Sequence, residues 1–294
     1  MEFYDTFKIE NIDTLPQKTI YYFLKSNNFS EHFVRKLRKT ENAMILNDLP
    51  ATTRTPINEN DILKILKNAD KPSNIPECDG CLDIVFEDDD YLIVNKPHNL
   101  ACIPTRSHIN SNLGGQIVKY MKAKDKSFVL RIAGRLDKET AGIVIVAKNV
   151  SAFNNLSDVQ KKYYALCAGV VKETNFVINK RIQTITKDGI NQMKRVVSQK
   201  GKESITHVHV EKQGKEFFLA SFILETGRTH QIRVHMESEK HPLLGDQIYS
   251  NDKLFSHAFL ILKEISFTHF RTKEKIALSI DYPQEWDDLL KKLT

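Results

Sequence analysis

Apolar residues recur every three to four positions in two stretches near the start of the chain. The first stretch predicts a helix over 17–27, and the second predicts a helix over 31–39 with Ser30 as its N-cap. Two short apolar runs at 44–46 and 61–65 predict strands, with a turn at Asn47-Asp48. Together these elements predict a small α/β unit over residues 1–66, which is little material for an independent core.

From residue 82 onward, strand patterns dominate. Residues 67–81 hold two prolines and few large apolar side chains, which predicts a linker and a mobile first domain. The whole pattern predicts an α+β fold, with a large, mostly antiparallel mixed sheet over 82–294. The predicted strands are 82–86, 91–97, 143–147, 163–171, 205–212 and 217–225; the predicted helices are 113–122, 151–162 (capped by Ser151) and 228–237; and 258–282 mixes strands and turns.

Composition indicates the class of protein and its compartment in the cell. The 294 residues are 41% hydrophobic and 27% charged, which is typical of a globular protein. Apolar runs all fall short of the roughly 20 residues that span a bilayer, and the first residues lack a signal-peptide pattern. We therefore expect a cytoplasmic protein without membrane contact. No motif indicates an oligomeric state, and a monomer is the default expectation.

Charge favours a polyanionic partner only weakly overall, at a net +6. Its distribution is more informative, because residues 1–70 hold ten basic and ten acidic residues and yet concentrate four bases in five positions of the second predicted helix. Such a basic helix is usually just a solvated face. The four bases are Arg35, Lys36, Arg38 and Lys39.

Metal and cofactor motifs are missing from the sequence. Cys78 and Cys81 form a lone C-x-x-C without a second ligand pair, so free thiols are expected rather than a zinc site. There is no Walker loop, no dinucleotide-binding glycine pattern and no G-x-S-x-G elbow. We therefore expect no metal, no nucleotide cofactor and no serine nucleophile.

Four segments carry candidate chemistry, although each alone has an ordinary structural explanation. Arg135 and Asp137 precede an apolar strand, where such a pair is most often a surface turn. Tyr163 opens a strand, as a core tyrosine with a wet tip commonly does. The run from Gly227 to His235 could be a solvated basic helix start, and 241–246 is rich in turn residues.

The order of these segments carries a resemblance. LDIVFEDDDYLIVNKP (82–97), GRLDKETAGIVIVAKN (134–149), KKYYALCAG (161–169) and ETGRTHQIRVHMESEKHPLLGD (225–246) resemble successive motifs of the RluA-type RNA pseudouridine synthases. More weakly, the first 66 residues are similar to the αL RNA-binding domain that often precedes this catalytic domain. The resemblance implies the pseudouridine synthase fold, an isomerase activity that needs no cofactor, and structured RNA, ribosomal or transfer, as partner.

The resemblance also implies residue roles. Asp137 matches the essential aspartate, which acts as nucleophile or charge stabiliser at the ribose of the target uridine. Tyr163 matches the tyrosine that stacks on the uracil and can serve as a base, and Arg233 matches the arginine that pairs with the aspartate. Arg135 matches the arginine that enters the RNA helix once the base has flipped out. Arg228 and His230 are expected to contact RNA, and so are the four bases of the second predicted helix, Arg35, Lys36, Arg38 and Lys39.

Two positions depart from the family pattern. The family usually has histidine where Gly134 stands and serine where Ala141 stands. Neither position carries assigned chemistry, and Gly134 bears on the loop that presents Arg135 and hence on RNA specificity.

Among the readings of the chain, a synthase for ribosomal RNA, most of all the large subunit, is the leading hypothesis. A synthase for transfer RNA and a non-catalytic ribosome-assembly factor on the same fold are alternatives. A third alternative is an aspartate-nucleophile enzyme of small nucleosides, such as a glycosidase. The complete Asp137, Tyr163 and Arg233 set argues against the non-catalytic reading, and the basic helix 31–39 argues against a small substrate.

Overall fold

The N-terminal unit is a four-stranded sheet covered by two helices. A computed structural model describes residues 4–66, 74–105, 108–126, 128–187, 190–250 and 255–293; residues 67–73, the first part of the predicted linker, lie outside the described residues. The sheet order is β1-β4-β2-β3. The elements are β1 Tyr4–Lys8, α1 Ile20–Ser26, α2 Glu31–Lys39, β2 Met44–Leu46, β3 Leu49–Pro50 and β4 Ile62–Leu66.

Local sequence signals explain this unit. The Ser30 side chain accepts a hydrogen bond from the Phe33 N–H, so it caps α2 as predicted. Asn47 and Asp48 both have positive φ, which the two-residue loop between β2 and β3 requires and which Asn and Asp tolerate. Strand β1 was not predicted from the sequence. It lies at the edge of the sheet and pairs with β4 along its whole length.

A nine-stranded sheet forms the second domain and confirms the predicted α+β class. Its order is β5-β6-β7-β14-β8-β13-β12-β9, with β15 paired to β14 and a separate β10-β11 hairpin. Among the described strands, only β7 and β14 pair in parallel. The strands are β5 Asp83–Glu87, β6 Tyr91–Lys96, β7 Ala141–Ala147, β8 Gln160–Ala168, β9 Asn175–Asn179, β10 Ile182–Lys187, β11 Ile190–Val197, β12 Ile205–Gln213, β13 Phe217–Leu224, β14 Leu260–Thr268 and β15 Lys275–Ser279.

Helices pack against the large sheet and help to form its core. The α3 side chains Leu113, Ile117 and Val118 are buried against the apolar residues of β6 and β7. The β7 residues are buried along the whole strand, as expected when both faces of a strand are covered. The remaining helices are α3 Leu113–Lys122, α4 Val150–Asn154, α5 Gln231–Ser238 and α6 Asp287–Lys291, with short 3₁₀ turns at Ile12–Thr14 and Gln284–Trp286.

The predicted helix over 151–162 is wrong in both its length and its cap. Helix α4 ends at Asn154, and the side chain of Asn149, not of Ser151, accepts the capping hydrogen bond from the Ala152 N–H. Residues from Gln160 onward instead pair with β14 as the start of β8. Partner strands outweighed a weak helical pattern, because the hydrogen bonds of a central strand depend on distant residues.

The two domains touch through α4 and Arg271. Val150 packs in the apolar core of the N-terminal unit. Asp5, which is 1% exposed, accepts hydrogen bonds from the Ser151 hydroxyl at 2.6 Å and from the Arg271 guanidinium at 3.1 Å. Arg271 also donates two 2.8 Å hydrogen bonds to Asp90. The structure therefore holds the N-terminal unit by a buried polar contact, and the mobility predicted from the linker stays a prediction.

Candidate active site

A cleft of about 700 Å³ opens beside the first residues of β7, β8 and α5. Its walls are the 134–140 loop, the first residues of β8 and the segment that leads into α5. The structure thus brings together residues that lie almost 100 positions apart in sequence. The predicted site residues that line it are Arg135, Asp137, Tyr163, Arg228, His230 and Arg233.

Asp137 lies in a loop that is fixed on both sides. The Thr140 N–H donates to its carbonyl, which closes a turn just before β7 begins. Gly142, at φ +117°, lies against the Leu262 backbone, and a Cβ there would overlap that backbone. The ammonium of Lys96 donates a 3.1 Å hydrogen bond to the Lys138 carbonyl from the core side. The Asp137 side chain keeps 35% of its surface exposed and faces the cleft.

Lys96 is an unusual support because its side chain is fully buried. Its ammonium donates three hydrogen bonds to backbone carbonyls, those of Pro97, Leu100 and Lys138. Burial lowers the pKa of Lys96 to about 8, and the negative charge of Asp137 opposes that shift. The cation therefore ties the 134–140 loop to β6 and also lies within electrostatic range of Asp137.

Among the described residues, His230 forms an ion-pair contact with Asp137, with 3.9 Å between Nε2 and Oδ2. It occupies the left-handed N-cap position of α5, at φ 59°. Its Nδ1 lies 3.0 Å from the Tyr249 hydroxyl, and that oxygen already accepts the Arg195 N–H. Burial raises the pKa of Tyr249 to about 12, so its phenol stays protonated and donates to Nδ1. We therefore assign the neutral His230 tautomer with its proton on Nε2, facing Asp137.

Among the described residues, the ion-pair partners of Arg233 within 4 Å are Asp246 and Glu139, while Asp137 acts on it only through its charge, and the expected pairing with Asp137 stays a prediction. Both ends of its fork bind the fully buried Asp246 at 2.6 Å, through Nε and Nη2. Nη2 also lies 2.7 Å from Glu139, although without hydrogen-bond geometry. Burial opposes the charge of Arg233, but the hydrogen bonds to Asp246 raise its pKa. Among the described residues, the arginine contacts the aspartate's neighbour on the loop and not the aspartate itself.

Tyr163 lines the cleft from the centre of the sheet. It pairs with Phe222 of β13 and Leu262 of β14 and packs against the apolar cores on either side. Burial raises the pKa of the Tyr163 phenol, and the negative charge of Asp137 raises it further. The phenol is therefore neutral near pH 7, so the ring can stack while a phenolate base is disfavoured.

Lys161 is a cleft residue that the sequence analysis missed. A Cβ at Gly134 would fall against the Lys161 ammonium, and Gly134 has φ +88°, which disfavours any side chain. Burial lowers the pKa of Lys161. Glycine at 134 thus leaves room for a second cation beside Arg135. Ala141, the other departure from the family, packs in an apolar cluster with Tyr164, Leu166 and Phe259.

The remaining predicted RNA contacts divide into two groups. Arg135 and Arg228 are exposed at the cleft, and Arg228 Nε donates to the Glu203 carbonyl. The basic residues of α2 lie in the N-terminal unit and none lines the cleft. Arg35 is 3.5 Å from Glu31, and Arg38 donates to Thr53 and lies over the Tyr21 ring. The structure thus does not bring Arg35, Lys36, Arg38 or Lys39 to the cleft.

The four cysteines are free, with Cys78 buried and Cys81 exposed. In the described part of the chain, one group of side chains could hold a metal ion, formed by His98, His257 and Glu285 outside the cleft. No helix among the described residues is long and apolar enough to cross a membrane.

Comparison with known proteins identifies a family. The profile of the RNA pseudouridylate synthase family matches residues 90–238, which contain Asp137, Tyr163 and Arg233. An uncharacterized RNA pseudouridine synthase of Bacillus subtilis, YlyB, is 34% identical over 223 residues, 72% of this chain and 73% of that protein. The ribosomal large subunit pseudouridine synthase D of Neisseria meningitidis (serogroup A) is 31% identical over 276 residues, 86% of this chain and 72% of that protein.

Solved structures agree at the level of the fold. Human RNA pseudouridylate synthase domain containing 4 superposes with a TM-score of 0.56 at 22% identity, covering 71% of this chain and 92% of that one. Human RNA pseudouridylate synthase domain containing 1 gives a TM-score of 0.55 at 22% identity, covering 76% of this chain and 97% of that one. The family profile, the sequence relatives and the motifs in their order lead to one conclusion: the chain belongs to the RluA family of RNA pseudouridine synthases and is an isomerase.

Proposed function

We propose that this protein converts specific uridines of large-subunit ribosomal RNA to pseudouridine, with Asp137 as the nucleophile. The observation that carries the proposal is the position of Asp137, a partly exposed carboxylate on a doubly anchored loop in a cleft of about 700 Å³. A similar protein of Neisseria meningitidis is named for the ribosomal large subunit, which supports the choice of RNA.

The reaction needs an anion at the ribose. The C1′–N1 bond of uridine breaks, the electron pair stays on the uracil ring, and Asp137 supplies an oxygen to the electron-poor C1′. The uracil then turns, C5 bonds to C1′ as the aspartate departs, and the C5 proton is lost while N1 regains a proton. The sum is an isomerisation without net oxidation, in which one proton leaves C5 and one proton is gained at N1.

The neighbours of Asp137 divide the remaining work. His230 directs its Nε2 proton towards Oδ2 from 3.9 Å and would orient the carboxylate without adding a full charge. Tyr163 offers a neutral ring that stacks on the uracil, and we assign it that role rather than proton abstraction. Arg233 is a positioning residue, because it links the loop residue Glu139 to Asp246 beyond α5.

Cations at the rim would hold the opened RNA. Flipping a uridine out of a helix costs a few kcal/mol, and the exposed Arg135 can offset part of that by filling the vacated stack. Lys161 and Arg228 lie at the same cleft and suit the phosphates next to the flipped nucleotide. The bases of α2 would add a separate, salt-sensitive contact from the N-terminal domain, which we propose binds RNA.

The test measures pseudouridine directly. Purified chain is incubated with unmodified large-subunit RNA, small-subunit RNA and transfer RNA in separate reactions, and pseudouridine is mapped in each. We expect new pseudouridine in large-subunit RNA with wild type and none with Asp137→Asn. Asp89→Asn, the same change on an exposed turn, is the matched control and should match wild type.

Other outcomes would redirect the proposal. Modification of transfer RNA alone would keep the chemistry and change the substrate. Equal yields from wild type and Asp137→Asn would remove the aspartate from the mechanism. If no RNA is modified while binding to ribosomal RNA persists, the chain is a non-catalytic assembly factor.

A further inference from the structure

A histidine pair and a glutamate meet on the far side of the 134–140 loop. His98 follows β6, His257 precedes β14, and Glu285 lies in the 3₁₀ turn Gln284–Trp286. Each residue offers one ligand atom, an imidazole nitrogen or a carboxylate oxygen, and these three atoms all lie within 4.8 Å of one another. Glu285 Oε1 is 3.9 Å from Nε2 of His98 and 3.7 Å from Nε2 of His257. Three segments that are distant in sequence thus point ligand atoms at one spot.

The Nε2 nitrogens of the two imidazoles are available to a ligand. Nε2 of His98 and Nε2 of His257 are both buried and without a hydrogen-bond partner in the described structure. The His98 side chain is 7% exposed. A buried nitrogen without a partner normally carries a free-energy penalty, so a ligand that engages both nitrogens would remove that penalty.

From this geometry we propose that His98, His257 and Glu285 form a binding site for a divalent transition metal, with Zn²⁺ the best match. Two imidazoles and one carboxylate are a donor set that Zn²⁺ uses, with water in the fourth position. Tetrahedral Zn²⁺ holds ligand atoms about 3.4 Å apart, so the 3.7 and 3.9 Å separations need only small side-chain shifts.

The surroundings of His98 fit a ligand. Its Nδ1 lies 2.6 Å from the Glu139 carbonyl, which fixes the proton on Nδ1 and leaves the Nε2 lone pair free. The half-exposed Glu285 side chain and a cavity of about 720 Å³ give an ion access from solvent.

One change must accompany binding. The His98 and His257 rings are stacked, with centroids 4.0 Å apart and planes 26° apart. Lone pairs on stacked rings run side by side, so the rings must splay for both to reach one ion. Binding would then join the loop after β6, the loop before β14 and the C-terminal 3₁₀ turn, next to the carbonyl of Glu139 on the catalytic loop.

Binding is measured on the full chain without an affinity tag. We expect calorimetry with Zn²⁺ to give one ion per chain with a Kd in the micromolar range or tighter. Saturating Zn²⁺, at about 100 times Kd, should raise Tm by roughly 5 °C. Co²⁺ in place of Zn²⁺ should give visible bands of a four-coordinate ion without the near-ultraviolet thiolate band that binding by Cys78 and Cys81 would produce.

Variants assign the ligands. His98→Ala, His257→Ala and Glu285→Gln should each weaken Zn²⁺ binding by about 100-fold. His209→Ala is the control, because it removes an exposed histidine that is likewise 3.9 Å from a carboxylate, that of Glu211. If a histidine variant fails to fold, Glu285→Gln at the half-exposed position and the Co²⁺ spectrum of wild type still decide. Absence of stoichiometric binding, unchanged affinity in Glu285→Gln, or a thiolate band would overturn the proposal.

Discussion

Replacing Asp246 by asparagine leaves Arg233 without the charge that balances it. Both side chains are buried, with 2% of the Arg233 side chain and none of Asp246 exposed. Removing one member of such a pair costs about 3–5 kcal/mol. Two features place the cost of Asp246→Asn near the lower end of this range. Glu139 remains 2.7 Å from Arg233. An asparagine Oδ1 can also still accept hydrogen bonds from the Ile248 and Tyr249 N–H groups. We expect a loss of about 3 kcal/mol, or roughly 6–12 °C in Tm.

The assay is urea unfolding followed by the fluorescence of Trp286, the single tryptophan of the chain. Urea is preferable to guanidinium chloride because a salt denaturant would screen the ion pair. Trp286 is fully buried in a cluster with Phe259 and Tyr164, so its emission reports loss of the catalytic domain core. The urea slope must stay constant for the midpoint change to measure stability alone.

The control is Asp288→Asn, which breaks an exposed 3.5 Å pair with Lys291 and should cost less than about 0.5 kcal/mol. Combining Asp246→Asn with Arg233→Met should cost less than the sum of the two, with a coupling of about 2 kcal/mol. The reasoning fails if Asp246→Asn costs no more than Asp288→Asn, or if the double variant is additive.

Three further predictions concern the glycines, Lys96 and the domain contact. Gly142→Ala should lower the free energy of unfolding by more than about 2 kcal/mol, because its Cβ meets the Leu262 backbone, whereas Gly134→Ala meets only a lysine tip and should cost about 1 kcal/mol; equal costs in urea unfolding would contradict this. Because the folded pKa of Lys96 is about 8 and the unfolded value is 10.5, the unfolded chain holds the extra proton in between, and wild-type stability should rise relative to Lys96→Met by about 1–2 kcal/mol from pH 8 to pH 9.5; a flat difference would refute the shift. Arg271→Gln should cost about 2–3 kcal/mol and increase the radius of gyration in X-ray scattering, because Asp5 and Asp90 lose their shared guanidinium; an unchanged radius would show that α4 alone holds the N-terminal unit.

The sequence predicted the parts of the fold that depend on local signals. Helix α2 begins after its Ser30 cap, and the turn at Asn47-Asp48 adopts the positive φ angles that these residues favour. Strands β6, β7, β12 and β13 lie where apolar runs predicted them. The errors occur where distant partners decide the structure. Strand β1 exists through its pairing with β4, and residues 160–162 join β8 through pairing with β14.

The site shows the same division between local motif and distant contact. The motifs predicted which residues line the cleft, including Asp137, Tyr163 and His230. They could not give the partner of Arg233, because Asp246 lies beyond α5 and reaches the guanidinium only in the folded chain. Tyr249 orients His230 from a segment without any motif. The His98, His257 and Glu285 cluster could not be predicted from a spacing in the sequence, because its residues come from three distant segments that meet only in the folded chain.

The position of β14 in the sheet has a consequence for synthesis of the chain on the ribosome. Strand β14 lies between β7 and β8, yet it is made about a hundred residues after both of them. Until it emerges, β7 and β8 each present an unpaired edge of apolar strand, which is prone to wrong pairing. The loop that carries Asp137 also lacks its backing at Gly142 until then. Catalytic competence should therefore appear only after β14 has joined the sheet between β7 and β8.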